Sequence, residues 1–275
     1  MKFSLIVATI NRVEPLDLLF RSLCIQTYKN FEVILVDQNT KGQLDGLVNK
    51  YAEKLDIKRI FSEKGLSKAR NRGLDMADGD IVCFPDDDCW YYPNTLEIVK
   101  SKFSKNQSVF GFTGRCIDDD GNESVAKFVK YRTIVTKDNV FSTAVSVTLF
   151  ILRNELKFNE NIGAGSGTKF GSGEESDYIL FNLLKKRELV YDPEVIIGHP
   201  NVIDSPSKQR AFSYGCGMGY VLRRHKFGLY KTFMWILKPL VASLIYIFRT
   251  PPKSKFYFLT FIGRLYGYVN YKKAI

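Results

Sequence analysis

The first 85 residues alternate short apolar segments with segments of helical periodicity, and this alternation constrains the fold more than any other feature. The apolar segments are rich in Val, Ile and Phe, which is typical of strands buried on both faces. They span residues 2–8, 31–37, 57–61 and 80–85. The helical segment that follows the first of them places apolar side chains at Leu16, Leu19, Phe20 and Leu23. The alternation predicts a parallel sheet that helices cover, with right-handed crossovers.

Polar side chains follow three of these apolar segments. They are Thr9, Asn11 and Arg12 after the first segment, Asp37, Gln38 and Asn39 after the second, and Asp86, Asp87 and Asp88 after the fourth. Parallel sheets bind ligands at the carboxyl ends of their strands, so we expect these groups to lie along one edge of the sheet.

The stretch "IVCFPDDDCW" (81–90) places three adjacent carboxylates behind a buried strand. Like charges at this spacing repel one another unless a cation neutralises them. Mg²⁺ and Mn²⁺ bind to one or two carboxylates and complete their coordination with water and substrate phosphates. The triplet therefore indicates a metal site that binds a diphosphate. The alternative is an acidic turn that only solvates the end of a strand.

Beyond residue 105 the pattern is less regular. Strand-like pieces occupy 109–116, 143–152 and 194–200, and "EESDYILFNLLKKR" (174–187) predicts a helix. The glycine-rich loop at 163–173 lacks the spacing of the nucleotide-binding motifs, and its composition favours either a lid over bound ligand or a flexible surface loop.

The net positive charge of the protein comes from the last quarter of the chain. The net charge is +11, yet residues 205–275 carry thirteen Lys or Arg and no Asp or Glu. The remaining 27 of the 40 basic residues are balanced by all 29 acidic ones. The same quarter contains the apolar and aromatic runs 232–248 and 256–269. Basic, aromatic and apolar residues together favour an anionic lipid surface as the partner, rather than nucleic acid.

Neither apolar run is long enough to cross a bilayer, which takes about 20 apolar residues. Lys238 and Pro239 interrupt the first run and Arg264 the second, so helices lying in the headgroup region are expected. A helical pair packed on the rest of the chain or on a second subunit is the alternative. Five cysteines without metal-site spacing, and a first segment typical of a strand rather than a signal peptide, predict a cytoplasmic protein attached peripherally to the inner face of the cell membrane.

Five blocks in order resemble the family 2 glycosyltransferases with the GT-A fold. They are "SLIVATINR" (4–12), "FEVILVDQNT" (31–40), "GLSKARNRGLDMADGDIVCFPDDDCWYYPNTL" (65–96), "FNENIGAGSGTKFGSGEESDYILFNLLKK" (158–186) and "VIIGHP" (195–200). The resemblance implies an α/β GT-A nucleotide-diphospho-sugar transferase fold, a mostly parallel sheet flanked by helices, with a helical, membrane-associating extension at the C-terminus. The expected domains are a catalytic domain at 1–204 and the extension at 205–275. The catalytic domain comprises a nucleotide-binding half (1–105) and an acceptor-binding half (106–204).

The resemblance also implies roles for individual residues. The acidic triplet corresponds to the family's DxD-type motif, which makes Asp86 and Asp88 metal ligands and leaves open which of the three contacts the metal. His199 is implied as a further ligand, with a structural role at the strand end as the alternative. The implied donor pocket consists of Thr9, Asn11, Arg12, Asp37, Gln38, Arg70, Asp86 and Asp87. Many relatives have an acidic residue where this chain has Gln38, which weakens the assignment of uracil, although a UDP-sugar is favoured.

The block "GEESDY" resembles the acceptor-side block of the family. It implies Glu175 as the catalytic base, with Glu174 as the alternative for the same role. Asp177, further along the same block, is the third candidate. The alternative is that these acids only complement the dipole at a helix N-terminus. His225, within "RRHK", is expected on an exposed basic face and receives no role.

These observations predict a metal-dependent, inverting glycosyltransferase that uses Mn²⁺ or Mg²⁺. The expected reaction moves a sugar from a nucleotide-sugar donor to a glycan or lipid-linked acceptor at the cytoplasmic membrane face. Two alternatives are a catalytically inactive, membrane-associated binding subunit of the same fold and a nucleotidyltransferase. A homo-oligomer is left open.

Overall fold

The computed structural model describes residues 1–201 and 208–275. In these residues the strands are β1 Phe3–Thr9, β2 Phe31–Asp37, β3 Ile57–Phe61, β4 Ile81–Cys83, β5 Trp90–Tyr91, β6 Gly111–Ile117, β7 Thr133–Ile134, β8 Phe150–Leu152 and β9 Leu189–Gly198. The α-helices are α1 Val13–Cys24, α2 Asp45–Tyr51, α3 Leu66–Met76, α4 Thr95–Lys105, α5 Glu174–Leu184, α6 Lys208–Arg224, α7 Leu229–Tyr246 and α8 Pro251–Val269. Short 3₁₀ helices occupy Val140–Ser142, Ser146–Thr148 and Tyr271–Ala274.

The strands form one mixed sheet in the order β3-β2-β1-β4-β8-β6-β9-β5, with β7 paired to β9. Strands β1 to β4 are parallel, as predicted. β8 is antiparallel to both of its neighbours, β4 and β6. β5 and β7 are antiparallel to β9, whereas β6 and β9 are parallel. The prediction of a mostly parallel sheet therefore holds for β1 to β4 and for the pair β6 and β9, and it is wrong for β5, β7 and β8. In the described residues the connection from β6 to β8 contains β7 and two short 3₁₀ helices, and it lacks the α-helix that usually joins parallel neighbours.

Local sequence explains why the first half forms as it does. Every residue of β2 is buried, which matches its continuous apolar run apart from Glu32 and Asp37. Leu16, Leu19 and Phe20 bury one face of α1. Burial of such side chains contributes about 2 kcal/mol each, so the periodic face holds the helix in place.

The described residues divide into two compact units. The first contains residues 1–64, 68–157 and 179–201, and the second contains 65–67, 158–178 and 208–275. The first unit holds the sheet. None of the helices in the described chain combines the length and hydrophobicity needed to span a bilayer.

In the second unit, α6 and α8 pack backbone to backbone through glycines. A Cβ added to Gly267 would lie 2.0 Å from the carbonyl oxygen of Cys216, and one added to Gly219 would lie 2.1 Å from that of Arg264. Real Cβ atoms do not approach backbone oxygens this closely, so the helix pair depends on these glycines.

Candidate active site

The parallel register of the first strands places the predicted polar residues at one edge of the sheet. Thr9 at the end of β1 is the register partner of Asp37 at the end of β2. Beyond β4, Asp86 forms an isolated parallel bridge with Ala8. The carboxyl ends of β1, β2 and β4 therefore meet, as the strand pattern predicted.

Asp87 is the inward-pointing member of the acidic triplet. It is buried, and its carboxylate accepts a hydrogen bond from Thr9 Oγ1 at 2.7 Å and lies 3.3 Å from Arg12 Nη1. Burial raises the pKa of Asp87 to about 6, although Thr9 and Arg12 both act to lower it. This residue therefore anchors the loop after β4 to the end of β1.

Asp86, Asp88 and His199 form a cluster whose possible ligand atoms all lie within 4.8 Å of one another. His199 Nε2 lies 3.4 Å from Asp88 Oδ1 and 3.9 Å from Asp86 Oδ2. The cluster forms because β5, directly after the triplet, pairs antiparallel with the end of β9. In that pairing Trp90 is opposite Gly198, where a Cβ would lie 1.9 Å from the Trp90 ring.

The donor set fits a divalent cation. His199 Nδ1 lies 2.9 Å from the carbonyl oxygen of Pro200. Because a carbonyl oxygen only accepts hydrogen bonds, Nδ1 is the donor in this contact, and Nε2 is the ring nitrogen that faces Asp86 and Asp88 and could ligate a cation. Two carboxylates and one imidazole suit Mn²⁺, and Mg²⁺ prefers an all-oxygen shell.

Two guanidinium groups contact the same carboxylates. Arg12 Nη1 donates a hydrogen bond to Asp88 as well as to Asp87. Arg70 Nη2 lies 3.2 Å from Asp86 Oδ1 and 3.0 Å from Ser146 Oγ. Positive charge thus stabilises the triplet in the protein itself.

The structure places Asp37 inside a hydrogen-bond network that sequence reasoning missed. Arg59 donates to Asp37 Oδ2 from Nε at 2.9 Å and from Nη2 at 2.6 Å. Asp37 Oδ1 accepts from the backbone N–H and the side-chain amide of Asn39, each at 2.8 Å. Asn11 adopts a left-handed backbone (φ 56°), and its N–H donates to Asn39. Asp37 therefore orders the loops that carry Asn11 and Gln38 at this edge.

The predicted base and its two neighbours lie in the first turn of α5, in the second unit. Glu174 and Asp177 are buried, whereas Glu175 is partly exposed. Asp177 Oδ1 lies 2.7 Å from His225 Nε2. Of the three acids, Glu175 is the most accessible to an acceptor.

The expectation that His225 lies on an exposed basic face is wrong, because the residue is only 8% exposed and pairs with Asp177. His225 follows the fully buried Val221 by four residues, so the two side chains lie on the same face of α6. This helical spacing is the signal that sequence reasoning overlooked.

The glycine-rich loop is anchored at its C-terminal end to α6, within the second unit. Gly171 N–H donates to the Ser213 carbonyl at 3.1 Å, and Ser172 Oγ donates to the Tyr214 carbonyl at 3.0 Å. These bonds fix the entry to α5.

Comparison with known proteins is consistent with this geometry. Residues 4–165, more than half of the chain, match the family model described as Glycosyl transferase family 2. A cholesterol galactosyltransferase of Borreliella burgdorferi is 35% identical over 112 residues, 39% of this chain and 30% of that protein. The poly(ribitol-phosphate) beta-N-acetylglucosaminyltransferase TarS of Staphylococcus aureus is 30% identical over 165 residues, 50% of this chain and 29% of that protein. The chain thus spans less than a third of these two relatives.

Solved structures show the same fold. S. aureus TarS 1-349 in complex with UDP-GlcNAc superposes with a TM-score of 0.62 at 18% identity, covering 99% of this chain and 92% of that one. The mannosyltransferase PcManGT of Pyrobaculum calidifontis, in complex with GDP-Man and Mn²⁺, gives 0.63 at 14% identity, covering 98% and 87%. Together with the family match, these likenesses establish that the chain belongs to glycosyltransferase family 2 and has a GT-A-like α/β fold.

Proposed function

We propose that this protein is a metal-dependent, inverting glycosyltransferase that transfers a sugar from a nucleotide-sugar donor. The observation that carries the proposal is the cluster of Asp86, Asp88 and His199 at the carboxyl edge of the sheet, which has the donor atoms for one divalent cation. A cation bound there supplies electrostatic stabilisation to a departing diphosphate.

The residues around the cluster have separate roles in this proposal. Asp86 and Asp88 hold Mn²⁺ or Mg²⁺, and the Nε2 atom of His199 favours Mn²⁺. Asp87 and Thr9 fix the loop, and Arg12 and Arg70 provide positive charge for donor phosphates.

The donor is proposed to be a UDP-sugar. Support comes from the UDP-GlcNAc complex of the structural neighbour TarS, whereas PcManGT carries GDP-Man on a similar fold. Gln38 lies between Asp37 and Asn39, and its backbone N–H donates to the Thr9 carbonyl at 3.1 Å. We assign its side chain to the base edge, since an amide both donates and accepts hydrogen bonds.

Glu175 is proposed as the general base that takes the proton from the acceptor hydroxyl. It is the accessible acid in the first turn of α5, since Glu174 is buried and Asp177 is held by His225. A single base implies direct displacement at the anomeric carbon, with inversion of configuration. The acceptor is proposed to be a glycan or lipid-linked molecule at the cytoplasmic face of the membrane, supported by the basic, aromatic character of residues 205–275.

The proposal is tested by donor turnover with and without Mn²⁺, using UDP-sugars and GDP-mannose. We expect metal-dependent release of the nucleoside diphosphate. Release of sugar 1-phosphate, the leaving group when the α-phosphorus of the donor is attacked, would instead indicate a nucleotidyltransferase. Donor binding without turnover of any donor would indicate a binding subunit.

Two variants separate the roles. Asp88→Ala should abolish metal-dependent donor binding, and Glu175→Gln should keep that binding while turnover falls by about a hundredfold or more. Asp119→Ala is the matched control, because Asp119 belongs to the chain's second Asp triplet and is exposed. Normal turnover by Glu175→Gln would exclude Glu175 as the base.

A further inference from the structure

Helix α7 has its apolar side facing outward, the reverse of an ordinary packed helix. Its buried positions include the small or polar residues Thr232, Pro239 and Ser243. Most of its exposed large side chains share one side of the helix, mainly at spacings of three and four residues, whereas Leu229 and Ile247 are exposed outside this set. We call this set, with Phe248 just past the helix end, the α7 apolar face: Tyr230, Phe233, Met234, Val241, Leu244, Ile245 and Phe248. Phe248 is 95% exposed and Tyr230 is 76% exposed.

Basic side chains border this face. Lys231 and Lys238 are seven residues apart, about two helical turns, so they lie on the same flank of α7. After the helix end come Arg249 and then Lys253 and Lys255 in the first turns of α8, where the helix dipole is positive and acidic residues are usual. The last three are exposed.

We infer that the α7 apolar face docks on the surface of a membrane that contains anionic lipids. This inference rests on the proposed function, in which the enzyme acts at a membrane face, and it names the surface that would contact the membrane. In this arrangement α7 lies in the plane of the interface. Its apolar face enters the headgroup and acyl boundary to a depth of about 5–10 Å, and its lysines contact lipid phosphates.

Charge complementarity favours lipid over a second copy of this chain. Residues 205–275 contain no Asp or Glu, so two copies packed through this face would bring Lys and Arg together without a partner of opposite charge. An anionic membrane supplies that charge as well as an apolar phase. Each Lys or Arg near such a surface strengthens binding by about fivefold.

The experiment measures binding of the full-length protein to phosphatidylcholine vesicles with and without about 30% phosphatidylglycerol, by co-sedimentation. We expect binding to the anionic vesicles and at least about tenfold weaker partitioning for the double variant Phe233→Ser/Phe248→Ser. Lys238→Ser/Lys253→Ser should weaken binding to anionic vesicles by about twentyfold. Tyr131→Ser is the matched control, since Tyr131 is 66% exposed in the first unit, and its binding should equal that of the wild type.

Binding that ignores vesicle charge, or that the Phe233/Phe248 double variant retains, overturns the inference. So does the absence of vesicle binding together with a dimer, seen by analytical ultracentrifugation, that the same double variant dissociates. The assay contains no donor, metal or acceptor, so an inactive protein that binds vesicles contradicts only the proposed function. An enzyme that turns over soluble donor and ignores vesicles contradicts only the docking surface.

Discussion

Glu32 is a carboxylate inside the sheet, and it gives the fold a measurable sensitivity to acid. Its side chain is fully buried. One carboxylate oxygen accepts hydrogen bonds from Ser4 Oγ at 2.6 Å and from the backbone N–H of Asp78 at 2.9 Å. The other oxygen lies 2.8 Å from the Nζ atoms of both Lys2 and Lys58. All four contacts favour the ionised form.

The pKa of Glu32 sets the size of the effect. Burial acts to raise this pKa, but hydrogen bonds from Lys2, Lys58 and Ser4 outweigh burial and lower it from 4.5 to about 2. The difference corresponds to about 3 kcal/mol of folding free energy. Because the folded-state pKa is the lower one, this stabilisation is complete above about pH 5.5 and is lost as the pH falls from about 4.5 towards 2. At pH 3 about 2 kcal/mol of it has gone.

Replacing Glu32 by Gln tests this reasoning. We expect Glu32→Gln to lower the free energy of unfolding by about 3 kcal/mol at pH 7 but by only about 1 kcal/mol at pH 3, because the wild type loses most of the same stabilisation in acid. Urea unfolding followed by circular dichroism at several pH values between these limits measures both differences.

The matched control is Glu53→Gln, which removes an exposed carboxylate and should change the free energy of unfolding by less than about 0.5 kcal/mol. A difference between Glu32→Gln and wild type that stays constant from pH 7 to pH 3 would refute the pKa argument.

Two further predictions concern the second unit. Gly267→Val should lower the free energy of unfolding by about 2 kcal/mol or more, since its Cβ meets the carbonyl oxygen of Cys216. In the control Gly46→Ala on α2, the added Cβ meets no atom within 4 Å and should leave stability unchanged or slightly higher, and urea unfolding measures both variants. His225→Ala removes a donor from the buried Asp177 and should destabilise by about 3 kcal/mol. In the Asp177→Asn background, His225→Ala should lower the free energy of unfolding by clearly less. If the effects of the two substitutions were strictly additive in this double-mutant cycle, the hydrogen bond between His225 and Asp177 would not contribute to stability.

The first half of the fold could be predicted because local pattern and tertiary structure agree there. The predicted segments 31–37 and 57–61 coincide with β2 and β3. The predicted segment 143–152 contains a strand only at Phe150–Leu152, because a 3₁₀ helix occupies Ser146–Thr148. A short apolar run can form either a strand or a helical turn without a change in composition. The strands available for pairing decide which of the two forms.

The residues of the candidate site could be predicted where polar side chains directly follow a strand. They could not be predicted where the register between strands determines which side chain reaches the site. Arg59 lies inside the apolar segment "IKRIF", so nothing in the local pattern assigns it to the site. The β2/β3 register places Arg59 opposite Leu35, two residues from Asp37, and this brings the guanidinium to the carboxylate. Pairing across strands of distant sequence is not encoded in either segment alone.

The charge balance at the sheet edge indicates what three adjacent aspartates after β4 contribute to the proposed function. Asp86, Asp87 and Asp88 are contacted by the guanidinium groups of Arg12 and Arg70, which leaves about one negative charge when all three carboxylates are ionised. In the proposed function that remainder would attract a divalent cation, and the bound cation would make the cluster net positive and favourable to a diphosphate. With one aspartate fewer, the two guanidinium groups would balance the two remaining carboxylates, and no net negative charge would be left to attract a cation. The proposed metal dependence therefore requires all three aspartates.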